Sequence, residues 1–251
     1  MKRTLAYGWI LYFIFSGCVS LVQAESPAAL LNQYNVSLRE VTRLFFDDPE
    51  HLSFRVHHSV TMTGESEKDE KDGEIKTRKE TRVFEVNPLK PDGKRAQLME
   101  VDGAPPTGKQ LEEFDEVYND GDSGETPENV FLPETLKIIE TNENSVIAEV
   151  DFDPGKLKGD NRDLIHSRAR IIIDTSAGQL RKIEVKAFET FRKMMVAKVM
   201  EFNVELWVRK HPEFQEYVSE KSRLWVKTRA LGQDITVEEI SVFDDYRKVK
   251  P

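Results

Sequence analysis

Two periodicities divide the chain into a short helical start and a long series of strands. Between Ser26 and Phe46 the apolar residues recur at helical spacing, Ser26 and Pro27 suit a helix start, and Asp-Asp-Pro at 47–49 suits its end. From Leu52 onward the spacing changes to two, which is typical of strands with one apolar and one polar side. The pattern predicts one long N-terminal helix followed by a β-rich body.

The alternation is clearest from Met194 to Val208, where every second residue is apolar except Lys198. Turn-forming residues separate about nine to eleven such segments. A capping box that begins at Thr107 predicts one short helix of about three turns, ending near Tyr118. The sequence therefore predicts a mainly β (α+β) fold: a large curved antiparallel sheet, or half-barrel, with one long N-terminal helix and one short inserted helix.

The predicted sheet carries more apolar surface than two modest helices can cover. A helix over 26–46 would be about 30 Å long, so part of the apolar face needs a second layer, another molecule or a ligand. An ordinary packed core is one interpretation, and an apolar groove is the other. A groove could hold an acyl chain, gaining about 0.8 kcal/mol for each buried methylene. The residues that we predict to line it are Leu38, Val41, Phe45, Phe54, Val56, Val60, Met200, Phe202, Val204 and Leu206.

Composition narrows the classes of function. The net charge is −9, which argues against nucleic acid as a main partner. A single cysteine excludes an internal disulfide framework and a cysteine-based zinc site. The chain has no nucleophile elbow, phosphate loop or dinucleotide fingerprint, and His57 and His58 should project to opposite sides of a strand. We therefore predict no enzymatic activity, no cofactor and no metal site.

Residues 1–24 have the arrangement of a secretory signal peptide. Lys2 and Arg3 precede an uncharged and mostly apolar stretch, and the sequence at 22–24 fits the small-x-small site of a signal peptidase. Cleavage after Ala24 would leave 25–251 as a single periplasmic domain. Two alternatives remain open, lipid attachment at Cys18 or an uncleaved membrane anchor. All three place the folded body outside the cytoplasm, with membrane association only through the N-terminal segment.

The order of elements and one short segment resemble a known superfamily. The sequence IIIDTSAG at 171–178, followed by LRKI at 180–183, is similar to a strand, glycine turn and returning strand of the LolA/LolB-type lipoprotein carriers of the bacterial periplasm. The resemblance implies a half-open, curved sheet covered by helices around an apolar cavity for acyl chains. The chain departs from that pattern in a charged run at 64–73 and in the inserted helix at 107–118.

Two functions of different classes follow from these features. The first is a non-enzymatic extracytoplasmic binding protein that holds an acyl chain, a lipid or a lipidated partner in the apolar groove. The alternative is a structural or interaction protein of the cell envelope, with a fully packed core and no small ligand.

Overall fold

Strands make up most of the molecule. The structure, a computed structural model, describes residues 26–46, 49–65, 75–91, 94–119, 128–193, 197–230 and 232–249. Its strands are β1 (Leu52–Glu65), β2 (Ile75–Val86), β3 (Ala96–Val101), β4 (Lys137–Thr141), β5 (Ser145–Asp151), β6 (Ser167–Asp174), β7 (Gln179–Ala187), β8 (Phe191–Lys193), β9 (Ala197–Lys210), β10 (Tyr217–Ala230) and β11 (Gln233–Lys248). Its α-helices are α1 (Pro27–Gln33), α2 (Leu38–Phe46) and α3 (Gly108–Tyr118).

The strands of these ranges form one 11-stranded antiparallel sheet that does not close. Their order is β3-β2-β1-β11-β10-β9-β7-β6-β5-β4, and β8 pairs with β9 beside β7. The first strand therefore lies next to the last, and the edges are β3 and β4. The fold class predicted from the sequence, a mainly β protein built on a large antiparallel sheet, is confirmed.

The N-terminal helix is the part of the fold where the prediction was wrong, because two short helices replace one long helix. Asn35 adopts a left-handed backbone with φ of 54°, which asparagine tolerates better than most residues. The Val36 amide then donates to the Leu31 carbonyl at 3.1 Å and closes α1. Ser37 begins α2, since its Oγ accepts from the Glu40 amide at 3.1 Å.

The inserted helix α3 is confirmed, and its capping box forms as predicted. The Thr107 amide donates to Gln110 Oε1 at 2.8 Å, and the Gln110 amide donates to Thr107 Oγ1 at 3.4 Å. Both bonds satisfy amides that a helix start leaves without internal partners. The apolar side of α3 carries Phe114, which is 1% exposed and packs edge-on against Phe84 of β2.

Both hydrophobic cores lie on one face of the sheet, here called the apolar face. The first cluster joins α1 and α2 to β5, β6, β7 and β9, and the second joins α3 mainly to β1, β2 and β3. One row of cross-strand partners connects them: His58, Ser241, Ser222, Leu206 and Ile183. Because cross-strand partners project to the same side, Val56 in the second cluster shares its side with Leu206 in the first.

The opposite face, here called the charged face, carries a ladder of ion pairs across the strands. Its contacts include Lys137–Glu149 at 3.0 Å, Glu149–Arg170 at 3.3 Å, Lys182–Glu205 at 2.7 Å and Arg223–Glu238 at 2.7 Å. Burial acts to raise the pKa of Glu149, but hydrogen bonds from Lys137 and Arg170 outweigh it, so the pKa lies below its ordinary value. The ion pairs therefore lie on one side of the sheet, and the two hydrophobic clusters lie on the other side.

Several predictions fall on residues outside the described ranges. They are the signal peptide at 1–24, most of the charged run at 64–73, and Met194. The single domain over 25–251 also stays a prediction. In the part of the chain that the structure describes, no helix combines the length and apolar character that a membrane span needs.

Candidate functional site

The predicted lining residues do not form one groove, because the structure distributes them over separate places. The two halves of the apolar face are covered by different helices, and this separates residues that the sequence had grouped. In or against the first cluster lie Leu38, Val41, Phe45, Phe202, Val204 and Leu206. The second cluster contains Phe54 and Val56. Val60 and Met200 belong to neither cluster. Whether any of the ten contacts a ligand stays a prediction.

The covered ends of the apolar face are filled by the protein's own side chains. Val41 of α2 is 0% exposed, and Leu206 beneath the helices is 6% exposed. Phe54 stacks on Tyr246 with ring centroids 5.3 Å apart, and Phe84 lies against Phe114 and α3. These side chains therefore pack within the two clusters, and the exposed apolar surface of this face lies outside them.

Between the two clusters the apolar face carries a band of apolar side chains that none of the described helices covers. We call this band the central strip, and it consists of Val60, Met62, Leu224, Val226, Ile235 and Val237. All six are at least partly exposed, and Met62 is 47% exposed.

Strand pairing aligns part of the central strip into a continuous row. Met62, Val237 and Val226 are successive partners on β1, β11 and β10, and the row ends at Phe202 of β9. At the usual spacing of about 4.8 Å between strands, these four side chains span about 14 Å. Such a row offers an extended apolar surface to a long, narrow molecule.

A partly buried polar group of residues, which we call the polar seam, borders the central strip on the side of the second cluster. His58 is 8% exposed, and its Nδ1 lies 2.9 Å from Ser241 Oγ. Arg82, the cross-strand partner of His58, donates from Nε to Glu80 Oε1 at 2.6 Å. The seam also includes Glu239, which lies between its cross-strand partners Val60 and Leu224 and so extends the seam into one side of the central strip.

The electrostatics of the polar seam reflect its burial. Burial lowers the pKa of His58 and the charge of Arg82 lowers it further, while Glu80 acts in the opposite direction. Burial raises the pKa of Glu239, although Arg82 opposes that shift. Both groups are thus biased toward their neutral forms. The seam thus combines two groups biased toward their neutral forms with the Arg82–Glu80 ion pair, and such a polar edge beside an apolar strip suits the polar end of an amphiphilic molecule.

Five members of the central strip are not among the lining residues predicted from the sequence: Met62, Leu224, Val226, Ile235 and Val237. The signal was present, because Ser222, Leu224, Val226 and Thr228 alternate with charged residues and tryptophan. What the sequence did not supply was the pairing of β1 with β11, which brings the first strand beside the last. The strip exists only through that long-range contact.

No cluster of His, Cys, Asp and Glu side chains suited to a metal ion occurs among the described residues. This finding concerns those ranges alone.

Comparisons with known proteins add little to this picture. No protein-family model and no curated protein matches the chain. Among solved structures, a chain of the Pseudomonas aeruginosa MucA/MucB complex is 9% identical, covers 90% of this chain and 99% of its own length, and has a TM-score of 0.21. A chain of MucB in complex with MucA(peri) is 8% identical over 78% of this chain and 94% of its own, with a TM-score of 0.18. Likeness at these TM-scores supports no argument about this chain, and the function has to be sought in its own surfaces.

Proposed function

We propose that this chain is a non-enzymatic extracytoplasmic binding protein that holds an apolar chain along the central strip. The apolar chain would belong to a lipid or to a lipidated partner protein. The observation that supports the proposal is the strip itself, which exposes apolar side chains between two filled clusters on the same face. Soluble proteins seldom leave a contiguous apolar patch uncovered unless something binds there.

The energetics of the strip suit an acyl chain. Each methylene that leaves water gains about 0.8 kcal/mol, so a long chain would be held without any ionic contact. Met62 contributes a flexible thioether that adapts to different chain shapes. The polar end of the ligand would lie toward the seam, where His58 and Arg82 offer hydrogen-bond donors.

The proposed location follows from the N-terminal sequence. With a signal-like segment at 1–24, the folded body would work outside the cytoplasm, most simply in the periplasm after cleavage following Ala24. Lipids and lipid-modified proteins of the cell envelope would be its partners there.

One observation favours the alternative, an envelope interaction protein with a packed core and no small ligand. Both clusters are tightly packed, since Val41 and Ile171 of the first cluster and Leu52 of the second are all 0% exposed. Under this alternative, another protein surface would cover the central strip, and the strip would show no preference for acyl chains.

A fluorescent fatty acid tests the proposal, with two matched substitutions on β11. Val237→Asp places a charge in the central strip, and Val242→Asp places the same charge on the charged face, where Val242 is 41% exposed. Val237→Asp should weaken fatty-acid binding at least about tenfold, since the loss of apolar contact and a desolvated carboxylate exceed about 1.4 kcal/mol. Val242→Asp should leave it unchanged. Equal affinities in both variants, or no binding by the parent protein, would refute the proposal.

A further inference from the structure

The two ends of the apolar row in the central strip differ in polarity. The row crosses β1, β11 and β10 and reaches β9 at Phe202. At the β9 end, this row and the rows on either side of it finish on apolar residues: Val199, Phe202 and Val204. At the β2 end, the same three rows finish on charged residues: Lys76, Arg78 and Glu80. An amphiphilic molecule along the row therefore fits in one direction, with its apolar end at β9 and its polar end at β2.

Arg78 lies at the polar end of the row, because it is the cross-strand partner of Met62. Cross-strand partners project to the same side of a sheet, with Cβ atoms about 4.5–5.5 Å apart. The Arg78 side chain is 82% exposed, and its Nη2 donates to Glu80 Oε2 at 3.4 Å. A guanidinium has five N–H donors, so most of them remain available for a ligand. Lys76 instead follows the acidic segment at 67–74, which offsets its charge.

The charges at the polar end leave one guanidinium without a full counter-charge in the described part of the chain. Glu80 Oε1 accepts from Arg82 Nε at 2.6 Å, a much closer contact than the one Glu80 makes with Arg78. Glu239 is the other carboxylate beside the row, and its pKa is raised by burial, which favours its neutral form. The positive charge of Arg78 is thus the one that is available to an anionic group.

We infer that the ligand of the central strip ends in a carboxylate, as a long-chain fatty acid does, and that this carboxylate pairs with Arg78. The guanidinium fork suits a carboxylate, because two parallel N–H···O bonds form between them. The carbon chain lies over Met62, Val237 and Val226 toward Phe202. Four strand spacings of about 4.8 Å separate β2 from β9, a span of about 19 Å that a straight chain of about sixteen carbons covers. This inference rests on the proposed function and adds the head group and the direction of the chain.

Equilibrium dialysis of the full protein with radiolabelled hexadecanoate at neutral pH tests the inference. Radiolabelled hexadecanamide, which has nearly the same shape and no charge, is the control ligand. The parent protein should bind hexadecanoate at least about threefold more tightly than the amide. Arg78→Gln should weaken hexadecanoate binding about threefold to fivefold, the range of an exposed ion pair, and leave amide binding unchanged.

Lys79→Gln is the matched control variant. Lys79 is the next residue on β2 and is also exposed, but it projects to the charged face. Its loss removes the same charge and should leave the binding of both ligands unchanged. Because the Arg78 side chain is mostly in solvent, Arg78→Gln should keep the resistance of the parent protein to urea. A weaker affinity of that variant would therefore not result from unfolding.

The outcomes separate this inference from the proposed function. Equal affinities of the parent protein for the two ligands would overturn the inference and leave acyl-chain binding in place. A preference for hexadecanoate that persists in a folded Arg78→Gln variant would overturn it as well. Binding of neither ligand by the parent protein would refute the proposed function and the inference together.

Discussion

Truncation of a leucine should have very different costs at the two kinds of position on the apolar face. Leu180 of β7 is 0% exposed in the first cluster, whereas Leu224 of β10 is partly exposed in the central strip. Leu180→Ala removes three buried carbons, worth about 2.4 kcal/mol of transfer energy, and leaves a sealed cavity, so the expected total is about 3–5 kcal/mol. Leu224→Ala loses only part of that transfer energy and seals no cavity, so about 1–1.5 kcal/mol is expected.

Urea unfolding of the parent protein and the two variants measures both costs. The slope of unfolding free energy against urea should be unchanged, so that shifts in midpoint report stability alone. A Leu224→Ala cost equal to that of Leu180→Ala would mean that the strip is covered in solution, and the reasoning about an open apolar face would be wrong.

The remaining predictions concern backbone strain and buried charge. Asn35→Val should destabilise the protein by about 1–2 kcal/mol in urea unfolding, because a β-branched residue resists the left-handed backbone between α1 and α2. The raised pKa of Glu239 means that stability declines as pH rises above 4.5 toward its folded pKa, so Glu239→Gln should raise the melting temperature at neutral pH. The lowered pKa of His58 means that stability is lost as pH falls below 6.5, and a His58→Gln variant should lose less stability over that interval.

Much of the fold could be predicted from signals between neighbouring residues in the sequence. The capping box at Thr107 and Gln110 is complete within four residues, so the helix that follows it could be predicted from sequence and is confirmed. The alternation on β9 likewise placed Phe202, Val204 and Leu206 on the apolar side. In each case neighbours in the sequence determine the structure.

The break in the N-terminal helix shows where local pattern misleads. The apolar stripe from Leu31 to Phe45 continues across the break, so it predicted a single helix. The asparagine and the Ser-x-x-Glu capping sequence that follows it were the signals for a second helix start. Val36 at the break is 0% exposed, so burial in the first cluster outweighs the helical propensity of the segment.

The candidate site depended on contacts that a single sequence does not reveal. Phe54 and Val56 have the same apolar pattern as Val60, yet the first two lie in the second cluster and Val60 lies in the open strip. The difference is the second cluster, in which α3 packs on β2 and β3 beside one end of β1, together with the pairing of β1 and β11. Elements that are distant in the sequence therefore determine which apolar residues are buried in a core and which stay exposed to a ligand.

The most direct test of an open, ligand-holding strip is native mass spectrometry of the protein purified gently from cells that export it. The account predicts a fraction of molecules heavier than the polypeptide by the mass of an acyl lipid, and loss of that fraction in the Val237→Asp variant but not in Val242→Asp. Polypeptide mass alone in the parent protein, or adducts that persist unchanged in Val237→Asp, would contradict it.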